Sequence, residues 1–186
     1  MYDAFLKFNQ KIKNSENIIL EVEPPFILAT IHRPENTDNK HKLISIFREL
    51  DKINEKTRVV LPLHPRTKGQ LQKYGVLTEV QLIAPVGYLS MLSLLNSTEM
   101  VITDSGGLQK ESFFAKKKCI TVRKETEWTE LIDIGVNRLS NPEELYDTFE
   151  KMNVKKCDFS SKPYGDGNAG NLILDSIVKF ISSGIC

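Results

Sequence analysis

The chain has 186 residues, enough for one domain with a sizeable core and barely enough for two. With 25 Lys and Arg against 24 Asp and Glu, its net charge is +1, so no global field recruits nucleic acid or an anionic membrane. No apolar run approaches the roughly 18–20 residues that span a bilayer, and Met1 to Gln10 lack the design of a signal peptide.

Cys119, Cys157 and Cys186 are odd in number and widely spaced, with no Cys-x-x-Cys pair. That pattern fits free thiols in a reducing compartment, by default the cytoplasm, better than a disulfide framework or a zinc site. Cys119 lies in the apolar run Cys119-Ile120-Thr121-Val122 and reads as core. The basic clusters at Lys116-Lys117-Lys118 and Lys155-Lys156 read as solvated helix ends.

Ala4, Phe5, Phe8 and Ile12 recur at helical spacing, so a first helix is expected over Met1 to Lys13. A polar gap ending in Pro24-Pro25 leads into Phe26 to Ile31, a continuous apolar strand of the kind covered on both faces. His32 to Asp38 reads as a polar loop, and Leu43, Ile46, Phe47, Leu50 and Ile53 form the apolar stripe of a helix. The unit then repeats. Arg58 to Leu63 is a strand, His64-Pro65-Arg66-Thr67 closes it, and a short helix runs around Gln70 to Tyr74. Val80 to Ile83 is a third strand, followed by Pro85-Val86-Gly87-Tyr88 and a helix carrying Leu89, Met91, Leu92 and Leu95. Val101-Ile102-Thr103 ends at Asp104-Ser105-Gly106-Gly107, from which a helix runs to Ala115. Cys119 to Val122 is a fifth strand, Glu130 to Ile134 a short helix, and Val136 to Leu139 a sixth strand. Asn141-Pro142-Glu143-Glu144 has the signature of a helix start. A loop from Lys155 to Gly167 precedes a last helix with Leu172, Ile173, Ile177, Phe180 and Ile181. Strands alternating with helices predict an α/β fold with a doubly wound, parallel, Rossmann-like sheet.

Polar residues collect after the strands, at His32, His64, Tyr88, Ser105 and Glu125, on the edge where open α/β sheets bind ligands. The stretch from Asp104 to Glu111 stands out. Its paired glycines either let a ligand approach the backbone at a helix start that suits phosphate, or serve only the geometry of a strand-to-helix turn. The strand-end placement favours phosphate. Glu111, one turn into that helix, could accept hydrogen bonds from two ribose hydroxyls, and His32 with Arg33, or His64 with Arg66, could supply donors to a diphosphate. His41 reads as surface or capping. Neither Gly-x-Gly-x-x-Gly after the first strand nor a Walker loop occurs, the histidines and cysteines lack ligand spacing, and Ser105 lacks the Gly-x-Ser-x-Gly elbow. No metal or other cofactor is expected.

The ordered set His32-Arg33-x-Glu35-Asn36, His64-Pro65-Arg66, Pro85-Val86-Gly87-Tyr88, Asp104-Ser105-Gly106-Gly107-x-Gln109-x-Glu111, Arg123-x-Glu125-Thr126-Glu127-Trp128 and Tyr164-Gly165-Asp166-Gly167-Asn168-Ala169 resembles the non-hydrolysing UDP-N-acetylglucosamine 2-epimerases over nearly the whole chain. The resemblance implies a GT-B architecture of two Rossmann-like domains, of which residues 1–186 would be the second, UDP-binding one. Met1-Tyr2-Asp3-Ala4 resembles the segment just past the interdomain crossing, which implies that Met1 is internal to a longer protein. Carried over by motif, Ser105, Gly106 and Gly107 would bind diphosphate and Glu111 the ribose hydroxyls. His32 would lie on the leaving-group side, and Arg33, Tyr88 and Met91 would be further UDP contacts. The family inverts the sugar at C2 by eliminating UDP and adding it back, with acid/base carboxylates from its first domain. An isolated second half is therefore expected to bind UDP without turnover, and the family implies a homodimer in the full-length form. Two departures stand out: Trp128 replaces a nucleotide-contacting Arg, and Val86-Gly87 replaces Gln-Asp/Glu before the tyrosine. Glu-Thr-Glu-Trp looks like archaeal members and those acting on UDP-2,3-diacetamido-glucuronate. The indole would either stack on a ring or pack in the domain interface. A glycosyltransferase donor half sharing the fold is the competing expectation.

Overall fold

The computed structural model describes residues 1–13 and 22–183. Most of the polar gap before Pro24, and Cys186, lie outside the described residues. Six parallel strands form one sheet: β1 (Ile27–Thr30), β2 (Val59–Pro62), β3 (Gln81–Ile83), β4 (Met100–Thr103), β5 (Lys118–Thr121) and β6 (Asn137–Leu139), in the order β3-β2-β1-β4-β5-β6. β1, β2 and β4 are buried along their whole length, which is why their sequences run apolar without alternation.

Alternate residues feed two cores. Ile27, Ala29 and Ile31 meet α3 (Lys40–Asn54) and α8 (Leu145–Val154) through Leu43, Ile46, Phe47, Leu50, Phe149 and Met152. Phe26 and Leu28 point the other way, to α1 (Tyr2–Lys13), α5 (Tyr88–Ser97) and α6 (Gly106–Phe114), through Phe5, Leu92, Leu95 and Leu108. Cys119 belongs to this second core, where burial pushes its thiol up to about 12. β1 pairs with β4 in the register Thr30↔Thr103, and strand order reverses between them. The connections leaving these two strands go to opposite faces and open a crevice at their carboxyl ends.

Local differences from the sequence expectations have physical reasons. The polar loop after β1 contains a single helical turn, α2 (Pro34–Thr37), opened by Pro34 in its first position. α4 (Pro65–Tyr74) begins earlier than expected, because His64 is its N-cap: Nδ1 accepts from the Arg66 amide at 3.2 Å. Pro142–Glu144 forms a 3-10 turn before α8, and the Asn141 amide donates to Glu144 rather than capping backbone. α7 (Thr129–Asp133) is as short as expected. The last helix, α9 (Ala169–Ser182), forms, but none of its residues is buried. Leu172, Ile173, Leu174, Ile177, Val178, Phe180 and Ile181 are between 50% and 65% exposed. Among the described residues no helix is long and apolar enough to cross a membrane.

Candidate functional site

At the carboxyl ends of β1, β2 and β4, where the strand order reverses, lies a cavity of about 300 Å³. Ile31, Pro62, Pro85, Val86, Met91 and Leu108 give it apolar walls; His32, His64, Ser105, Gly107 and Glu111 supply polar groups. α6 points its N-terminus at this space. Ser105 opens the helix without a side-chain cap, and its own amide donates to the Thr103 hydroxyl at 2.9 Å. The amides of Gly106, Gly107 and Leu108, at the first helical turn, have no intrahelical acceptor and carry the positive end of the dipole.

The two glycines are not demanded by the turn. Neither has a positive φ. A Cβ on Gly106 would meet nothing nearer than 3.6 Å, and one on Gly107 nothing nearer than 3.9 Å. Both are ordinary contacts within the protein; at Gly106 they are with Arg33, Glu127 and Trp128, whereas Gly107 lines the cavity, where its missing side chain preserves space in front of the helix.

The turn after β1 is held by one buried carboxylate. Asp104, fully buried, accepts from the amides of His32 and Arg33 at 3.0 and 2.9 Å and from Asn36 Nδ2 at 3.1 Å. His32 Nδ1 lies 3.2 Å from Asp104 Oδ1. Asn36 also donates to the Val122 carbonyl at 2.9 Å, so the ends of β1, β4 and β5 are tied together. The His32 and His64 rings, both lining the cavity, sit tilted by 34° with centroids 5.4 Å apart.

At the far end, Tyr88 Oη donates to Glu111 Oε1 at 2.9 Å. Burial and this bond push the Tyr88 phenol up to about 12. Burial also raises Glu111, against the lowering effect of the tyrosine hydroxyl. Phe8 of α1 packs edge-on against Tyr88, so the first helix supports this corner.

The structure therefore brings His32, Met91, Ser105, Gly107 and Glu111 around one cavity. Tyr88 reaches it through Glu111, and Gly106 borders it at the helix start. Arg33 does not line the cavity but stands beside the helix start: its backbone binds Asp104, while Nη2 lies 3.9 Å from Glu127 and 3.6 Å from where a Gly106 Cβ would be. Glu127 is the hub of a second network, gripped by both terminal nitrogens of Arg123 at 2.9 and 3.0 Å. The Arg123 hydrogen bonds hold its carboxyl down at about 2. Arg66 pairs with Asp38 at 2.9 Å, outside the cavity lining. A larger polar cleft, about 520 Å³, opens beside Arg123 and Lys42, but Arg123 is already paired with Glu127 there, and Glu35, Glu125 and Glu143 line it.

Trp128 neither stacks in the cavity nor stands free. Its Nε1 donates to the Gly106 carbonyl at 2.9 Å, its ring meets Tyr164 edge-on, and Lys110 Nζ sits 3.8 Å from an indole centroid. Behind the helix start, buried Gln109 accepts from Thr126 Oγ1 at 2.6 Å and Asn137 Nδ2 at 3.1 Å, and donates to the Ser105 carbonyl at 3.3 Å. The motif residues after β5 thus brace α6. Sequence reasoning missed the anchoring role of Asp104; the signal was an ionisable residue ending an apolar strand immediately before Ser-Gly-Gly. The Pro62 and Leu108 walls carried no signal at all.

The arrangement suits a ligand with an anionic group at the α6 start, vicinal hydroxyls at Glu111 and a flat ring against the apolar wall. Among the described residues no group of three or more His, Cys, Asp or Glu could hold a metal ion.

Comparison with known proteins adds the family. The model for UDP-N-acetylglucosamine 2-epimerase matches residues 1–178. A UDP-2,3-diacetamido-2,3-dideoxy-D-glucuronate 2-epimerase of Pseudomonas aeruginosa is 42% identical over 182 residues, covering 96% of this chain and 51% of its own length. A UDP-N-acetylglucosamine 2-epimerase homolog of Methanococcus maripaludis is 38% identical over 190 residues, with coverages of 94% and 52%. The crystal structure of the Methanocaldococcus jannaschii UDP-GlcNAc 2-epimerase in complex with UDP-GlcNAc and UDP superposes with a TM-score of 0.86 at 34% identity, over 96% of this chain and 52% of that one. The chain spans about half the length of the curated relatives it matches.

Proposed function

The chain belongs to the UDP-N-acetylglucosamine 2-epimerase family, and from that premise we propose that it is the UDP-binding half of a UDP-sugar 2-epimerase with a two-domain, GT-B arrangement. Ser105 and the amides of Gly106 and Gly107 take the diphosphate, Glu111 takes the ribose hydroxyls, and Met91 lines the apolar wall. Tyr88 acts through Glu111. His32 faces the phosphates, with Arg33 behind it. One observation carries this reading: Gly107, a glycine that neither a positive φ nor a close protein contact requires, lines the switch-point cavity at an open helix start.

The reaction is inversion at the sugar C2 by elimination and re-addition of UDP, and this half stabilises the charge on the departing diphosphate. The other half supplies the acid/base carboxylates, and α9 supports its existence by presenting an apolar surface that nothing among the described residues covers. The sugar is UDP-N-acetylglucosamine, interconverted with its manno epimer. UDP-2,3-diacetamido-glucuronate is the second reading, favoured by the name of the 42% identical relative and by Glu125-Thr126-Glu127-Trp128. The full-length protein is a homodimer.

Calorimetric titration with UDP, UMP and ADP tests the site. UDP should bind best, and Ser105→Ala and Glu111→Ala should each weaken it by about tenfold. Equal affinity for UDP and ADP, or unchanged binding in both variants, would overturn the assignment.

A further inference from the structure

Asp104 does more than close a turn. Its two oxygens already receive three donors, from the His32 and Arg33 amides and Asn36 Nδ2. These would hold the 32–36 segment without any help from the imidazole. Yet His32 Nδ1 also lies 3.2 Å from Asp104 Oδ1, and that carboxylate is fully buried. A buried carboxylate is an acceptor only, so Nδ1 must carry the hydrogen. Nε2 is then the atom the ring presents to the cavity.

We propose that Asp104 is a positioning residue that locks His32 in the Nδ1–H form, so that Nε2 meets the bound diphosphate and binding is accompanied by uptake of a proton at that atom. The inference rests on the reading of the cavity as a UDP site. A diphosphate oxygen offers lone pairs only, and so does Nε2 of the neutral, Asp104-bound ring. The two attract once Nε2 has taken a proton from solvent, giving an imidazolium held between two anions. Buried Asp104 balances that charge from behind, as it would for any His whose inward nitrogen is fixed by a carboxylate. The other groups facing the ring are His64, at the head of α4, and Glu111, across the cavity on α6. The Arg33 guanidinium is turned toward Glu127. Its Nη2 also stands 3.6 Å from where a Gly106 Cβ would lie, so it is a second cation beside the helix start, one that does not titrate with the imidazole.

The test is ¹⁵N NMR of the imidazole in the 186-residue chain, with UDP calorimetry at about pH 8. Running the titration in buffers of different ionisation enthalpy counts protons. The free protein should show the Nδ1–H tautomer, and UDP should bring in about one proton. Asp104→Asn should lose the tautomer preference and the uptake and bind UDP about tenfold more weakly. His32→Gln leaves all three turn anchors in place, so it stays informative if Asp104→Asn fails to fold. It should abolish uptake, which separates protonation of the ring from protonation of the phosphate. An Nε2–H tautomer in the wild type, or uptake that persists in His32→Gln, would overturn the inference. Absence of any UDP binding would reject the reading of the cavity, while the tautomer measurement would still decide what Asp104 does to the ring.

Discussion

Glu111 is half-buried one turn into α6, with one oxygen occupied by the Tyr88 hydroxyl. Burial raises its carboxyl above the ordinary value. For a carboxylate the sign follows directly: the folded state holds the proton more tightly than the unfolded chain. Stability that is present in acid is therefore lost as pH rises through the folded-state value, and at neutral pH the ionised group works against the fold. Glu111→Gln keeps an oxygen for Tyr88 and removes the charge. We expect thermal unfolding at pH 7 to be unchanged or to rise by about 2 °C, with the difference vanishing in acid, while UDP affinity falls. A lower Tm at neutral pH, read by calorimetry, would mean that the carboxylate stabilises the fold. Glu127 has the opposite sign: its carboxyl is held down at about 2, so any stability it lends is present above the ordinary carboxylate range and lost as pH falls through about 2. It is exposed, and solvent screening keeps that contribution small.

α6 works as an element because the segments after β5 brace its start. Gln109, fully buried, links Thr126, Asn137 and the Ser105 carbonyl, and Trp128 ties the Gly106 carbonyl from outside. Gln109→Leu removes an acceptor and leaves the Asn137 amide and the Thr126 hydroxyl without that partner. A cost of about 2–3 kcal/mol in urea unfolding is expected. Trp128→Phe keeps most of the ring packing and loses one hydrogen bond, at about 1 kcal/mol. If Gln109→Leu proved neutral, α6 would not depend on this bracing. The contrast shows what could be read from the residues. The central strands were legible because a both-faces-buried strand must be continuously apolar, as Phe26 to Ile31 is, whereas β3 and β6 at the sheet edges are only partly buried. The paired glycines, Glu111 and His32 were legible because polar residues at strand ends have few other reasons to cluster. The Gln109 and Asp104 connections join residues 17 to 72 positions apart, and no local pattern encodes such pairings. Nor did the apolar spacing of α9 disclose its environment: periodicity says that a face favours burial, not what covers it.

At the scale of the molecule, the proposed epimerisation needs more than this cavity supplies. Among the described residues lining it, Glu111 is the single carboxylate, and Tyr88 ties it to the end opposite His32. Removing a proton from a sugar carbon requires a base within hydrogen-bond reach of that carbon and an acid on its other face. His32, placed on the phosphate side in the proposed reading, meets neither need. α9 belongs to the same argument, because seven of its apolar side chains are at least half exposed. Such a surface, left bare, drives association. The 186-residue chain should therefore migrate as larger species on gel filtration, and a version ending at Asn168 should be monomeric and keep its UDP affinity within about twofold. The decisive measurement follows UDP-N-acetylglucosamine in deuterium oxide by proton NMR. With this chain alone, the C2 proton signal should persist and no manno product should form, even at protein concentrations that saturate with UDP. Adding the other half, as a separate chain or in the longer protein, should wash the C2 proton out and build up the epimer. Exchange at C2 catalysed by the pure chain would require an acid/base pair within these 186 residues, and would overturn the division of labour between the two halves.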